Sequence, residues 1–252
     1  MKIAVCIKRV PDTEGRFAIA PDQRSIATAG LKFDLSDFDG YAVEVALRLN
    51  EQRGPGGGEV VVVSLGPEGT QEVLRKALSM GADRAVHLQA DAIPFDSLSL
   101  ARALAPELSG QGYDLILFGR NATDSGNACV GPMTAELLGM PCVTAVSWLE
   151  LGEGKGTAHR ELEGTTETVS FPLPAVLTID EGIARPRLPS LKGIMAAKKK
   201  PVDTRVAALG PVRLAVERLE LPPERTDGRI VGEGPDAVPE LVRLLRQEAK
   251  VL

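Results

Sequence analysis

Three asparagines occur in this chain of 252 residues, and two of them, Asn121 and Asn127, fall in one loop of small and polar residues from Gly119 to Val130. Asparagine tolerates left-handed backbone and bonds its own main chain, so the pair is expected to shape a tight turn. The loop follows an apolar strand-like run, Leu115 to Phe118, and leads into a helical pattern, Met133 to Leu138. A small-residue loop in that position presents backbone N–H groups at a helix start, where the helix dipole favours an anion. Two readings stand: the floor of a nucleotide phosphate cradle, or an ordinary turn between strand and helix. The loop by itself leaves both open.

The other residues able to carry chemistry do not form a catalytic set. His87 and His159 lie far apart, one on a strand edge and one in a β-rich stretch, and read as surface or structural side chains. Cys6, Cys129 and Cys142 show no C-x-x-C spacing and are odd in number, which favours reduced thiols over a disulfide or zinc framework. The sequence has no Walker P-loop, no G-x-S-x-G elbow and no G-x-G-x-x-G fingerprint. Gly54 to Gly58 (GPGGG) follows a helix and precedes a strand, the reverse of a phosphate-loop order, and reads as linker. The S-G-G-x-D-S segment that ATP-adenylating enzymes of a similar sheet place after the first strand is also missing. No catalytic residue and no metal ligand is assigned. A nucleotide-sized site without a catalytic set favours a binding or carrier subunit over an enzyme.

Composition narrows the partners. The chain is 44% hydrophobic and 25% charged, ordinary for a globular protein of one large core plus an appended segment. A formal net charge of −5 gives no bulk attraction to nucleic acid, and 4% aromatics weakens any base-stacking scheme. No apolar run approaches membrane-spanning length. A strand pattern begins at once (KIAVCIK), with no apolar signal core or Arg/Ser-rich presequence. The expected location is the bacterial cytoplasm, or the mitochondrial matrix for a mature eukaryotic chain. The low Asn and Gln content leans toward a thermophile.

The elements that must position the loop can be read from periodicity. Lys2 to Lys8 is a short buried strand, and Arg16 to Gly30 a β-hairpin excursion. Ser36 is expected to cap a helix that runs to Gln52, with Asp39 completing a capping box. Glu59 to Leu65 is a β-branched run suited to a strand buried on both faces. Thr70 to Met80 is a helix stopped by Gly81, Arg84 to Leu88 a strand, and Asp96 to Leu108 a helix. This alternation predicts an α/β fold with a doubly wound, mainly parallel sheet. Ligands of such sheets sit beyond the carboxyl ends of the strands. Four segments meet there: the strand end at Cys6, the helix start Ser36 to Asp39, Leu65 with Gly66, and the loop Gly119 to Val130. Their convergence favours the nucleotide reading.

Past Pro141, four short runs ending in AVLTID predict an antiparallel β extension of the sheet. From Arg185 the chain reads as irregular, with one more strand-like piece at Val212 to Leu221. Residues 1–220 are expected to form the nucleotide-binding domain. Residues 221–252 are expected to be an arm that hands a final helix, Val238 to Val251, to another surface.

Four stretches, in this order, carry a family likeness: IAVCIKRVPD; SLGP with KALSMGADRAVHL; GRNATDSGNACVGPMTA; and PSLKGIMAAKKKP. With these the chain resembles the beta (small) subunit of electron transfer flavoprotein over nearly its whole length. The resemblance implies a fold of the adenine-nucleotide-binding type and a heterodimer with an alpha subunit that holds most of the contacts to a redox-active FAD. It implies a structural AMP in the beta subunit, and electron transfer from acyl-CoA and related dehydrogenases to a membrane quinone oxidoreductase. Carried over by position, the AMP site would comprise Cys6, Ser36, Asp37, Phe38, Asp39, Leu65, Gly66, Gly119, Arg120, Asn121, Ala122, Thr123, Asp124, Ser125, Gly126, Asn127, Ala128, Cys129 and Val130.

Many members have an Asn-Gln-Thr or Ala-Gln-Val run where this chain has Ala128-Cys129-Val130. The missing glutamine amide bears on which nucleotide binds. A bifurcating branch of the family holds a second FAD there instead of AMP. The stretch 185–200 resembles the family's recognition loop. By that resemblance Leu191 would be its dehydrogenase anchor, with Ile194 and Met195 beside it and Lys198 to Lys200 as a steering rim. Glu161 matches an acid proposed to pair with an arginine of the alpha subunit's mobile flavin domain. A reading from another class, a stand-alone adenine-nucleotide-binding regulator of the universal-stress type, lacks the β extension, the LPSLKGIM stretch and the C-terminal arm.

Overall fold

Side chains of the first strand, β1 (Lys2–Cys6), alternate between two faces: Ile3 and Val5 enter one buried cluster, Ala4 and Cys6 another. That is the period-two pattern of a strand covered on both sides. A computed structural model describes residues 1–54, 56–223 and 228–252. The remaining strands are β2 (Arg9–Pro11), β3 (Phe33–Leu35), β4 (Glu59–Gly66), β5 (Arg84–Gln89), β6 (Leu115–Gly119), β7 (Cys142–Leu151), β8 (Lys155–Leu162), β9 (Thr165–Pro172), β10 (Ala175–Ile179) and β11 (Val202–Val206). The helices are α1 (Asp37–Glu51), α2 (Gln71–Met80), α3 (Ser97–Leu108), α4 (Val130–Leu138), α5 (Leu191–Ala197) and α6 (Val238–Leu244).

One nine-stranded sheet runs β11-β5-β4-β1-β6-β10-β7-β8-β9. Every pairing from β11 to β7 is parallel, and β8 pairs antiparallel with β7 and β9. Helices α1, α2 and α5 contribute to the cluster on one face, α3 and α4 to the cluster on the other. This is the mainly parallel α/β sheet with an antiparallel extension that periodicity predicts. The strand order reverses between β1 and β6, the switch point where such folds open a crevice at the strand ends.

Several local expectations change. AVLTI does not join the antiparallel extension: as β10 it lies parallel between β6 and β7, all five residues buried. Arg16 to Gly30 keeps one bridge, Ile19 with Ile26, while the ladder forms at its base between β2 and β3. Val212 to Leu221 forms no ladder. Instead, the N–H groups of Arg213 and Leu214 donate to Asp96 Oδ2 (2.7 and 3.2 Å), whose Oδ1 caps α3 through Leu98 N. The 185–200 stretch contains α5, and β11 then adds a strand at the sheet edge.

The chain divides into two compact units, Met1–Arg218 and Leu219–Leu252. The second holds a 3₁₀ turn at Pro235–Ala237, then α6, then a π turn at Leu245–Ala249, with Arg243 paired to Glu240 at 2.6 Å. Part of the arm expected over 221–252, residues 224–227, lies outside the described residues.

Candidate nucleotide site at the carboxyl ends of the strands

Asp39 joins three of the four segments expected here. Its Oδ2 accepts from Lys8 N just past β1 (2.7 Å), and its Oδ1 accepts from Gly119 N at the end of β6 (3.0 Å). The expected capping box therefore does not form, and Ser36 makes no side-chain cap. Ser36 Oγ instead accepts from Thr123 N in the loop (3.4 Å), and Ser36 N donates to Lys8 O (3.1 Å). Long-range donors win because β1 and β6 are neighbours and deliver two N–H groups to the first turn of α1. The contact needs glycine at 119, where a Cβ would stand 2.5 Å from Asp39 Oδ1.

Burial pushes the Asp39 carboxyl up to about 7, against the opposing pull of its two N–H donors and Lys8. Burial first and then Asp39 push the Cys6 thiol up, so Cys6 contributes backbone and packing rather than a thiolate. Lys8 Nζ reaches Asp124 at 2.7 Å, a second tie between β1 and the loop. Nothing in the residue pattern singled out Lys8, although it lies in the first of the four family stretches.

Within Gly119–Val130, left-handed backbone falls on Gly126 (φ 64°) and Ala128 (φ 51°), not on the asparagines. An alanine there costs roughly 1–2 kcal/mol, and the neighbouring bonds offset it: Cys129 Sγ to Asn127 O (2.8 Å) and Gly126 N to Ala122 O (2.9 Å). Asn127 Nδ2 lies 3.5 Å from Ser97 Oγ at the start of α3. Asn121 Oδ1 is buried with no hydrogen-bond partner among the described residues. Arg120 points outward and pairs with Asp180, just after β10, at 3.0 Å.

Leu65 and Gly66 close β4 beside this group. Ser64 Oγ donates to Ile7 O (2.7 Å), joining the ends of β4 and β1. His87 is not at a surface. It is fully buried on β5, with Nε2 at 3.0 Å from Gly66 O. Phe38 stacks edge-on against Tyr41, and exposed Asp37 lines a shallow cleft with Tyr41, Lys76 and Arg187. The docking candidates lie elsewhere: Leu191, Ile194 and Met195 are exposed on α5, and Glu161 is exposed on β8, held by Ser147 (3.3 Å) and Thr166 (3.0 Å).

The segments tied by Asp39 and Ser36 meet at one edge of the sheet, beside its switch point, and comparison with known proteins says which family shares the chain. Residues 24–209 match the model of the electron transfer flavoprotein domain. The chain is 37% identical to electron transfer flavoprotein subunit beta of Bacillus subtilis, each chain covered in full. The chain belongs to the electron transfer flavoprotein beta-subunit family. The beta subunit of Syntrophomonas wolfei is 36% identical, with 100% of this chain and 98% of that one covered. The human beta subunit is 37% identical, with 98% of each covered. The likeness to these beta subunits spans 98–100% of this chain. No described helix is long and apolar enough to cross a membrane, and no group of three or more His, Cys, Asp or Glu among the described residues is placed to hold a metal ion.

Proposed function

We propose that this chain is the beta subunit of a heterodimeric electron carrier. It seats a structural AMP at the strand-end crevice, braces an FAD-bearing alpha subunit, and docks acyl-CoA and related dehydrogenases through 185–200. Electrons then pass to a membrane quinone oxidoreductase. The observation that carries this is the full-length match to beta subunits combined with the convergence of four loops on one sheet edge. The residues fit an adenine nucleotide: the loop before α4 offers N–H groups and a helix start to a phosphate, and Asn121 Oδ1 is a buried acceptor awaiting a donor. Gly119 to Val130, with the backbone at Cys6, Leu65 and Gly66, would hold it. Asp39 shapes the floor, since both its oxygens are already engaged.

FAD, held mainly by the alpha subunit, supplies the redox chemistry. This chain's residues bind, orient and dock, with no catalytic role of their own. Residues 221–252 pack on the alpha subunit, and Glu161 biases its flavin domain.

The test is to release and weigh the small molecules of the co-purified pair by mass spectrometry. One FAD and one AMP per pair is the expected result. Two FAD would make the chain a bifurcating type, and no adenine nucleotide would remove the site assignment.

A further inference from the structure

Helix α5 has seven residues and buries only Ala197. A helix so short is not stable by itself, and its apolar side chains Leu191, Ile194 and Met195 face away from the fold. Polar contacts to the carboxyl end of α2 hold it instead. Gly193 sits so close to the Ser79 carbonyl that any Cβ would run into it. Arg75, from the middle of α2, donates through one nitrogen to the carbonyls of Ala197 (2.5 Å) and Lys200 (2.8 Å). Lys200 Nζ donates to the carbonyls of Leu78 (3.1 Å), Gly81 (3.3 Å) and Ala82 (2.5 Å).

The last carbonyls of a helix lack intrahelical partners, and an ammonium has three hydrogens to give. Lys200 thus gives its donors to the carboxyl end of α2, at Leu78, and to the turn that follows it, at Gly81 and Ala82. It is half-buried, whereas Lys198 and Lys199 are exposed. The backbone then turns straight into the sheet edge, Pro201 O accepting from Ala85 N (3.0 Å). ALSMGADRA and PSLKGIMAAKKKP, two of the family stretches, therefore form one joint.

We propose that Lys200 and Arg75 are positioning residues that latch α5 onto α2 as a preformed docking helix, so that Lys200 is no part of the steering rim. This rests on reading α5 as the dehydrogenase-docking element. Preorganisation of this kind improves association by removing the ordering cost of binding, and it does not depend on salt. A steering charge instead acts at long range and fades as ionic strength rises.

The test uses the co-purified alpha–beta pair with Lys200→Met and Lys198→Met, an acyl-CoA dehydrogenase as the probe. Lys200→Met should speed amide exchange in 191–197 about tenfold or more, since bonds from a charged donor are lost. It should also slow electron transfer by a similar factor at every salt concentration. Lys198→Met should leave exchange unchanged and slow transfer only at low salt. If Lys200→Met behaves like Lys198→Met, the latch is overturned. Faster exchange with unchanged transfer overturns the docking role of α5 and leaves the latch standing. Should Lys200→Met prevent assembly of the pair, Arg75→Lys, which shortens the reach to the Ala197 and Lys200 carbonyls, carries the same expectations.

Discussion

Asp39 is the residue on which the candidate site turns. One carboxylate satisfies the N–H groups of Lys8 and Gly119, from two neighbouring strand ends, and burial holds its pKa at about 7. The unfolded value is about 4, so the folded chain binds this proton more tightly between about pH 4 and about pH 7. The group's contribution to stability is complete below about pH 4 and is lost as the pH rises to about 7. Asp39→Asn should abolish that slope. It should also cost about 1–3 kcal/mol, because an amide accepts at one oxygen and turns an NH₂ toward the other donor. Denaturant unfolding across this pH range measures both. An unchanged slope in the variant would mean that some other group is its source.

At the scale of elements, α1 serves two places at once. Its first turn ties to the Gly119–Val130 loop through Ser36 and Asp39. Further along, Glu44 and Glu51 grip Arg187: Glu44 accepts from Arg187 Nε (2.8 Å) and backbone N (3.2 Å), Glu51 from the outer guanidinium nitrogens. The paired acids lie below the usual carboxylate range, Glu44 despite the opposing effect of its burial and Glu51 chiefly through Arg187. The Glu44 side chain is almost fully buried, so losing a partner leaves a charge that water cannot reach. Arg187→Ala should therefore destabilise by roughly 2 kcal/mol. Arg48→Ala, which removes a half-exposed partner of the same acid, should cost less than about 1 kcal/mol. Thermal unfolding of the two variants side by side tests the ranking, and equal losses would contradict it.

On the scale of the whole molecule, the two proposed contact surfaces are far apart. Helix α5 packs on α2, which covers β4 and β5, while Glu161 sits on β8. Five strand spacings separate β4 from β8 in the sheet order, roughly 24 Å. Two different bodies can thus occupy them together, as the proposed carrier role requires. Leu191, the proposed anchor, is 84% exposed. Leu191→Ala should slow electron transfer from the dehydrogenase tenfold or so and leave the flavin spectrum intact. Glu161→Ala should shift the flavin-domain orientation seen in solution scattering, with an effect of about 1 kcal/mol or less. The two effects should add, since the sites share no partner. An unchanged transfer rate at limiting carrier removes the anchor role, and unchanged scattering removes the role of Glu161.

The amino-acid sequence by itself determined the alternation of buried strands and amphipathic helices, hence a doubly wound sheet and the edge at which the candidate site lies. Those features are local, since a period of two or 3.6 is visible within a dozen residues. Tertiary structure alone decided which strands are neighbours. AVLTI reads the same at an edge or in the middle, and only the parallel pairing with β6 and β7 places it centrally. The exposed apolar residues of α5 give no amphipathic signal, because the helix is held by polar contacts with α2 and the turn after it rather than by its own buried face. Asp39 looks like a capping residue until Gly119, eighty positions away, supplies a better donor. Where a side chain's partner comes from a distant segment, the choice is made by sheet order, which local pattern does not encode.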